Sequence, residues 1–359
     1  MTQGTRRWLL AVWALVSSIG ATPRGQEGGP FCVLQPKNFH ESAAESERLL
    51  NQHASRGYRL VSLRDVQVWE PVAAEKVPEY RIVLAPHTPA WWTRSNERAT
   101  KTRLRDEVNL LAREGFRVHP DAHSPGTDTF WRGGERGAVV VMERVPGRSE
   151  ACLYDVAGVE NDDPIVLPRE ARPLALRVWR GVLTESCGSP GGERPEGLTL
   201  KWLDHRKARE LGTLLSGMAD DGCRFLVDNA DAGRPGSPRM GSLVACGVGE
   251  RTRREYRLLL PQGRTAPGVP VDAAKQVELQ RGLNAAGADG FCLVGSAWAQ
   301  LVLERTTPRT ERCEYRLAIT EDTRLVAIVN EGLAQGFRPV TRVEWSEGMV
   351  LERRLTTPN

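Results

Sequence analysis

The residues best equipped for chemistry fall in one short stretch, His119-Pro120-Asp121-Ala122-His123. In extended backbone alternate side chains point the same way. His119, Asp121 and His123 would then offer a divalent ion three ligands, as a metal-dependent hydrolase requires. No fourth ligand can be named, and Pro120 and Pro125 equally describe an ordinary surface turn. His40-Glu41 opens like a zinc-protease helix, but Ala44 stands where the second histidine is needed. Gly147-Arg148-Ser149-Glu150-Ala151 lacks the closing glycine of a nucleophile elbow. Gly247-Val248-Gly249 is not followed by the third glycine of a dinucleotide loop, and there is no Walker lysine. No cofactor is expected.

Tryptophan offers a second kind of chemistry. Trp131, Trp298 and Trp345 occur in segments that join two strand-like stretches, and Trp69 occupies a similar place earlier in the chain. A tryptophan at a hairpin tip stacks on sugars or anchors a protein partner, and its alternative use is to cover the open end of a sheet.

The elements that would carry these residues repeat. Five segments align on Gly57, Gly115, Gly222, Gly290 and Gly336. Counting back 11, 7 and 3 residues from each glycine samples one helical face. This face holds Leu104, Val108 and Ala112; Leu211, Leu215 and Ala219; Leu279, Leu283 and Gly287; and Leu325, Val329 and Leu333. The first copy departs at Ser46 and keeps Leu50 and Ala54. Each reads as an amphipathic helix ended by a left-handed glycine cap. After the cap the apolar period becomes two, the mark of a strand. A second strand follows, ending in Glu-Arg at Arg144, Arg305 and Arg353, and the next unit opens on Tyr80, Tyr154, Tyr256 or Tyr315. Asn51, Asn109, Asn284 and Asn330 lie six residues before their glycines, with Ser216 in the remaining copy. Each asparagine either lines a polar groove or bonds a neighbouring backbone near the helix end. The interval from Tyr154 to Gly222 is about twice that from Tyr80 to Gly115, so 155–197 reads as a loop-rich insertion around one strand, 174–183.

A unit of strand, helix ending in Leu-Asn, small residue and Gly-aromatic, then two strands, resembles a family of very short bacterial domains of unknown function. The resemblance spans about two thirds of the chain and implies the fold of each unit. It implies no catalytic residue.

The chain has 359 residues, with 40% hydrophobic and 26% charged, as in ordinary globular proteins. Arg6 and Arg7, the apolar run 8–16 and the small residues through Ala21 have the layout of a secretory signal. The run is too short for a spanning helix of ~20 residues, and no later segment is apolar enough. Removing 1–21 lowers the net charge from +4 by two; such balance gives nucleic-acid binding no electrostatic footprint. All seven cysteines lie beyond the signal and none forms a CxxC pair. Disulfides are thus expected, Cys223 with Cys246 first, and an odd thiol should remain.

The expectation is an α+β chain of strand-helix-strand-strand units, forming antiparallel sheets with helices on one face. It divides into a signal (1–21), an N-terminal lobe of units 1 and 2 (22–154), the insertion (155–197) and a C-terminal lobe of three further units (198–359). The expected role is a non-catalytic binding module, periplasmic or secreted, for a protein, peptide or envelope glycan. Neither nucleic acid nor, after signal removal, a membrane span is expected.

Overall fold

The computed structural model describes residues 31–34, 43–63, 67–86, 94–123, 137–148, 150–158, 164–168, 171–178, 181–188, 198–204, 211–229, 241–247, 253–259, 273–297, 300–308, 311–319, 322–342 and 348–356. Among them, five helices and six small antiparallel sheets make an α+β fold of repeated units.

Unit 1 comprises β1 (Cys32–Leu34), α1 (Ala43–Ala54), β2 (Tyr58–Leu63) and β3 (Gln67–Pro71). Unit 2 comprises β4 (Glu79–Pro86), α2 (Arg94–Arg113), β5 (Arg117–His123) and β6 (Gly137–Arg144). Unit 3 has no helix among the described residues: β7 (Cys152–Gly158), a two-residue β8 (Ile165–Val166), β9 (Arg172–Val178) and β10 (Gly181–Cys187). Unit 4 is β11 (Thr199–Asp204), α3 (Leu211–Asp220), β12 (Cys223–Asn229) and β13 (Gly241–Cys246). Unit 5 is β14 (Arg253–Leu259), α4 (Ala273–Ala288), β15 (Cys292–Ala297) and β16 (Gln300–Thr307). Unit 6 is β17 (Glu311–Ile319), α5 (Asp322–Ala334), β18 (Arg338–Arg342) and β19 (Gly348–Thr356).

Every sheet has one order: the unit's first strand pairs with its last, which pairs with the middle one. The interval 155–197 therefore holds β8, β9 and β10, the last two completing the sheet that β7 begins, rather than a single strand in an insertion. Residues 174–183 span the end of β9 and the start of β10. Without a helix and its glycine cap, this unit had nothing on which to align with the others.

The five cap glycines all adopt positive φ, between 76° and 89°. At Phe116, Phe291 and Phe337 the residue after the cap donates its N–H to the carbonyl five residues back, closing the Schellman arrangement. The expected helix faces are the buried ones: Leu50, Val108, Leu211, Leu283 and Val329 are each 0% exposed. Burying such a side chain stabilises by about 1.5–3 kcal/mol. Ser46, the exception in pattern, is buried too.

Each helix packs against the first strand of the following unit: α1 on β4, α2 on β7, α3 on β14, α4 on β17, and α5 on β1. The last contact closes a ring. Its apolar cluster joins Leu325, Val329, Leu333 and Phe337 of unit 6 to Val68, with Phe31 and Val61 packed alongside. The middle strands β2, β5, β9, β12, β15 and β18 lie next to one another in sequence order. Each helix thus lies between its own unit's strands and the first strand of the next unit.

Candidate functional site

The repeated polar residues meet at the joints between units. Tyr80 pairs with Glu143 across β4 and β6. Its hydroxyl donates to Glu143 (3.1 Å) and accepts the N–H of Leu60 in the preceding unit (2.7 Å). Arg59 grips the same carboxylate through Nε and a terminal nitrogen, both at 2.8 Å, the two-pronged geometry favoured by guanidinium and carboxylate. Tyr154 repeats this with Glu185 (2.7 Å) and the N–H of Val118 (3.0 Å). Tyr256 does so with Glu304 (2.7 Å) and the N–H of Phe225 (3.0 Å). In the fifth joint Tyr315 donates to the carbonyl of Phe291 (3.1 Å), and Glu352 takes the Leu293 N–H directly (2.9 Å).

The recurrent asparagines work on the other side of the same strand. Asn51 donates to the Tyr80 carbonyl and accepts its N–H, both at 2.9 Å. Asn109 does the same for Tyr154, both at 2.8 Å. Asn284 accepts the Tyr315 N–H (2.9 Å), while Gln280 one turn earlier donates to the Tyr315 carbonyl and accepts the Leu317 N–H. These side chains stand in for a fourth strand along an edge that would otherwise expose unpaired backbone groups. They are structural, and their partner is a strand of the next unit. Replacing Asn109 by alanine would leave both backbone groups of Tyr154 without partners. A loss of about 2 kcal/mol is expected, the usual cost of buried unsatisfied groups, read as a lower urea midpoint. The exposed Ser216 at the equivalent place in unit 4 should tolerate alanine.

The hydroxyls of Tyr80, Tyr154, Tyr256 and Tyr315 are held above the usual phenol range, first by burial and then by the charge of Glu143, Glu185, Glu304 and Glu352 respectively. A pKa raised on folding contributes stability below the unfolded value of about 10 and loses it as pH rises further, because the unfolded chain releases protons that the fold retains. In an alkaline titration, phenolate absorbance from these four tyrosines should appear together with loss of the circular-dichroism signal. Phenolate appearing ahead of unfolding would contradict these buried joints.

His119 lies at one such joint. Its imidazole is buried, with Nε2 2.8 Å from the carbonyl oxygen of Leu60, so one ring nitrogen is already engaged with protein. The backbone of Asp121 and His123 continues β5, but their side chains lie outside the described residues, as do Trp131, Trp298 and Trp345. Trp69 is in β3 rather than at a hairpin tip. It is fully buried, edge-on to Tyr80 at 5.9 Å between ring centroids.

Three disulfides are present: Cys152–Cys187 and the expected Cys223–Cys246 within units, and Cys292–Cys313 between units 5 and 6. Glu185 lies against the first and Glu352 against the third, their donor atoms within 4.8 Å of the sulfurs. As thiolate ligands these sulfurs would first have to be reduced. Arg117 contacts both Cys187 and Glu185. Cys32, the seventh cysteine, is in β1 with its side chain outside the described residues. No helix among the described residues is long and apolar enough to cross a membrane. Disulfides and the lack of such a helix are both compatible with an extracellular or periplasmic protein.

A cavity of about 430 Å³ opens at the joint of units 5 and 6, lined by Asn284, Glu314, Tyr315, Phe337 and others. Arg312 is among the lining residues, and two of the other polar side chains are committed, Asn284 to Tyr315 and Glu314 to Arg353. The cavity thus offers packing rather than a poised acid, base or nucleophile. Sequence reading missed the buried glutamates. Their signal is the Glu of the strand-ending Glu-Arg pair, which by itself marks only the end of a strand. Comparison with protein-family models, curated proteins and solved structures finds no match for this chain.

Proposed function

We propose that the chain is an exported, non-catalytic binding scaffold of the cell envelope, holding a protein, peptide or glycan through the connections between its strands. The observation that supports this reading is the use made of the recurrent polar side chains. Tyrosine, glutamate, asparagine and arginine recur because they fasten one unit to the next, which leaves no repeated group for catalysis. Variation falls elsewhere. The first and middle strands of each unit both pair antiparallel with the last, so they run parallel and their C-terminal ends share one rim. The connections leaving those ends differ in length and sequence, and they include Trp131, Trp298 and Trp345. Binding surfaces carried on variable loops above a rigid scaffold are a common arrangement.

The test is capture from envelope extract by the immobilised mature chain, compared with a Trp131→Ala, Trp298→Ala, Trp345→Ala variant of matching circular dichroism. Loss of a specific protein, peptide or glycan from the variant supports the reading. Identical capture removes the tryptophans from it, and stoichiometric zinc in the purified chain would favour the hydrolase reading built on His119, Asp121 and His123.

A further inference from the structure

The six joints are not equivalent, and the differences fall in a regular place. At three of them a tyrosine hydroxyl accepts the N–H of the third residue after a cap glycine, Leu60, Val118 or Phe225. At the joint of units 5 and 6 the corresponding N–H, that of Leu293, goes to Glu352. Strand register identifies the same positions in the other two joints. Leu60, Val118, Phe225 and Leu293 lie opposite Trp69, Met142, Val244 and Leu303 of the last strands. The matching residues are Pro173, opposite Thr184, and Pro339, opposite Leu351. Proline has no N–H to donate. The residues in the tyrosine position at these joints are Leu200, opposite Ala245, and Phe31, next to Cys32, which lies opposite Trp69. Neither has a hydroxyl. Donor and acceptor are thus lost together, at two joints three units apart, and the ring divides into halves 31–187 and 199–356.

The two apolar joints are secured differently. Between units 3 and 4 the chain is continuous. There β8 pairs with β11, and the N–H of Leu167 donates to the carbonyl of Leu198 at 2.7 Å. Between units 6 and 1 there is no covalent link. Among the described residues the strand received there, β1, has three residues against nine in β17. The Nδ2 of Asn330, whose counterparts Asn51 and Asn109 donate to the next unit, is buried without a hydrogen-bond partner. Middle strands touch at the five chain-connected joints, whereas β18 and β2 make no comparable contact. What holds this seam is the apolar cluster around Val329 and the Arg338 guanidinium 4.7 Å from the centre of the Phe31 ring.

We propose that the ring opens at the seam between its sixth and first units while the four joints within the halves stay shut. The halves then hinge about the joint of units 3 and 4. This inference does not depend on what the chain binds.

Two valines make the comparison internal. Val329 and Val108 sit seven residues before the cap glycines of α5 and α2, and both are fully buried. In the full mature chain with Cys32→Ser, Val329→Cys reports on the proposed seam and Val108→Cys on a joint expected to stay shut. Thiol labelling under native conditions should be about tenfold faster at residue 329, the factor expected from one or two missing hydrogen bonds. Adding Phe31→Tyr with Pro339→Leu restores donor and acceptor and should bring that rate down towards the rate at residue 108. Equal rates at the two sites would overturn the proposal. Faster labelling at 329 that the paired substitution leaves unchanged would overturn its assignment to the missing bond. Should either cysteine variant fail to fold, Ala318→Cys and Val83→Cys, from the same two clusters, give the same contrast.

Discussion

Replacing Glu143 by alanine is expected to destabilise the chain by about 3–5 kcal/mol, the range found when one partner of a buried charged network is removed. Glu143 is 6% exposed and accepts both prongs of Arg59 and the Tyr80 hydroxyl. Without it a half-buried guanidinium loses its counter-charge and the tyrosine loses its acceptor. The joint between units 1 and 2 then keeps its contacts away from the carboxylate: the Leu60 N–H to the Tyr80 oxygen, the Asn51 pair, His119 against the Leu60 carbonyl, and Glu47 with Arg81 and the Ile82 N–H. Glu143→Gln keeps a carbonyl oxygen for the tyrosine and should cost clearly less. Urea unfolding of both variants checks the order. An alanine variant as stable as wild type would mean that the apolar cluster of Leu50, Leu60, Trp69 and Val141 carries this joint alone.

The same glutamate shows how far the sequence could be read. The Glu-Arg pair at the end of several last strands was visible as a pattern, and it correctly placed a strand. Its two residues do opposite things. Arg144, Arg305 and Arg353 turn outward and lie over Phe116, Phe291 and Phe337 at 4.5–4.8 Å, a cation–π contact that covers the aromatic next to the cap. The preceding glutamate turns inward: Glu143 and Glu304 accept from a tyrosine of their own sheet, and Glu352 accepts a backbone N–H of the previous unit. Period-two alternation predicts that neighbours face opposite ways. It does not tell which face an acidic residue will take, because a buried carboxylate is unfavourable until its partners are known.

Helix faces and caps were legible because they depend on local geometry. A glycine at positive φ and residues four apart are defined within one turn of chain. The third unit was not legible for the converse reason. It lacks a helix among the described residues, and the outer edge of the strand that follows it is covered by β8 instead. Ring closure was likewise hidden, since Phe31, just before β1, stands where β4, β7, β14 and β17 carry tyrosine. The two prolines that mark the seams, Pro173 and Pro339, become informative only once strand register aligns them with Leu60 and Val118.

The second large effect is expected within one helix, where two glycines should respond with opposite sign. A Cβ added at Gly287 would lie 1.9 Å from the carbonyl oxygen of Cys313 and 3.0 Å from a ring carbon of Tyr315. The first of these is backbone and cannot swing aside. Alpha-helix α4 would have to withdraw from β17, stretching the bonds from Asn284 and Gln280 that run along that strand. Overpacking of this kind costs about 1–3 kcal/mol and occasionally more, and the rigid obstacle places Gly287→Ala at or above about 3 kcal/mol. Gly282 lies five residues earlier in the same helix, and its nearest neighbour to an added Cβ is Leu259 at 3.9 Å, an ordinary contact. There alanine brings only its better helix propensity, so Gly282→Ala should stabilise by about 0.5–1 kcal/mol. Thermal melts of the two variants separate close approach from propensity. If Gly287→Ala melts with wild type, α4 does not sit as close to β17 as the narrowing stripe of Leu279, Leu283 and Gly287 implies.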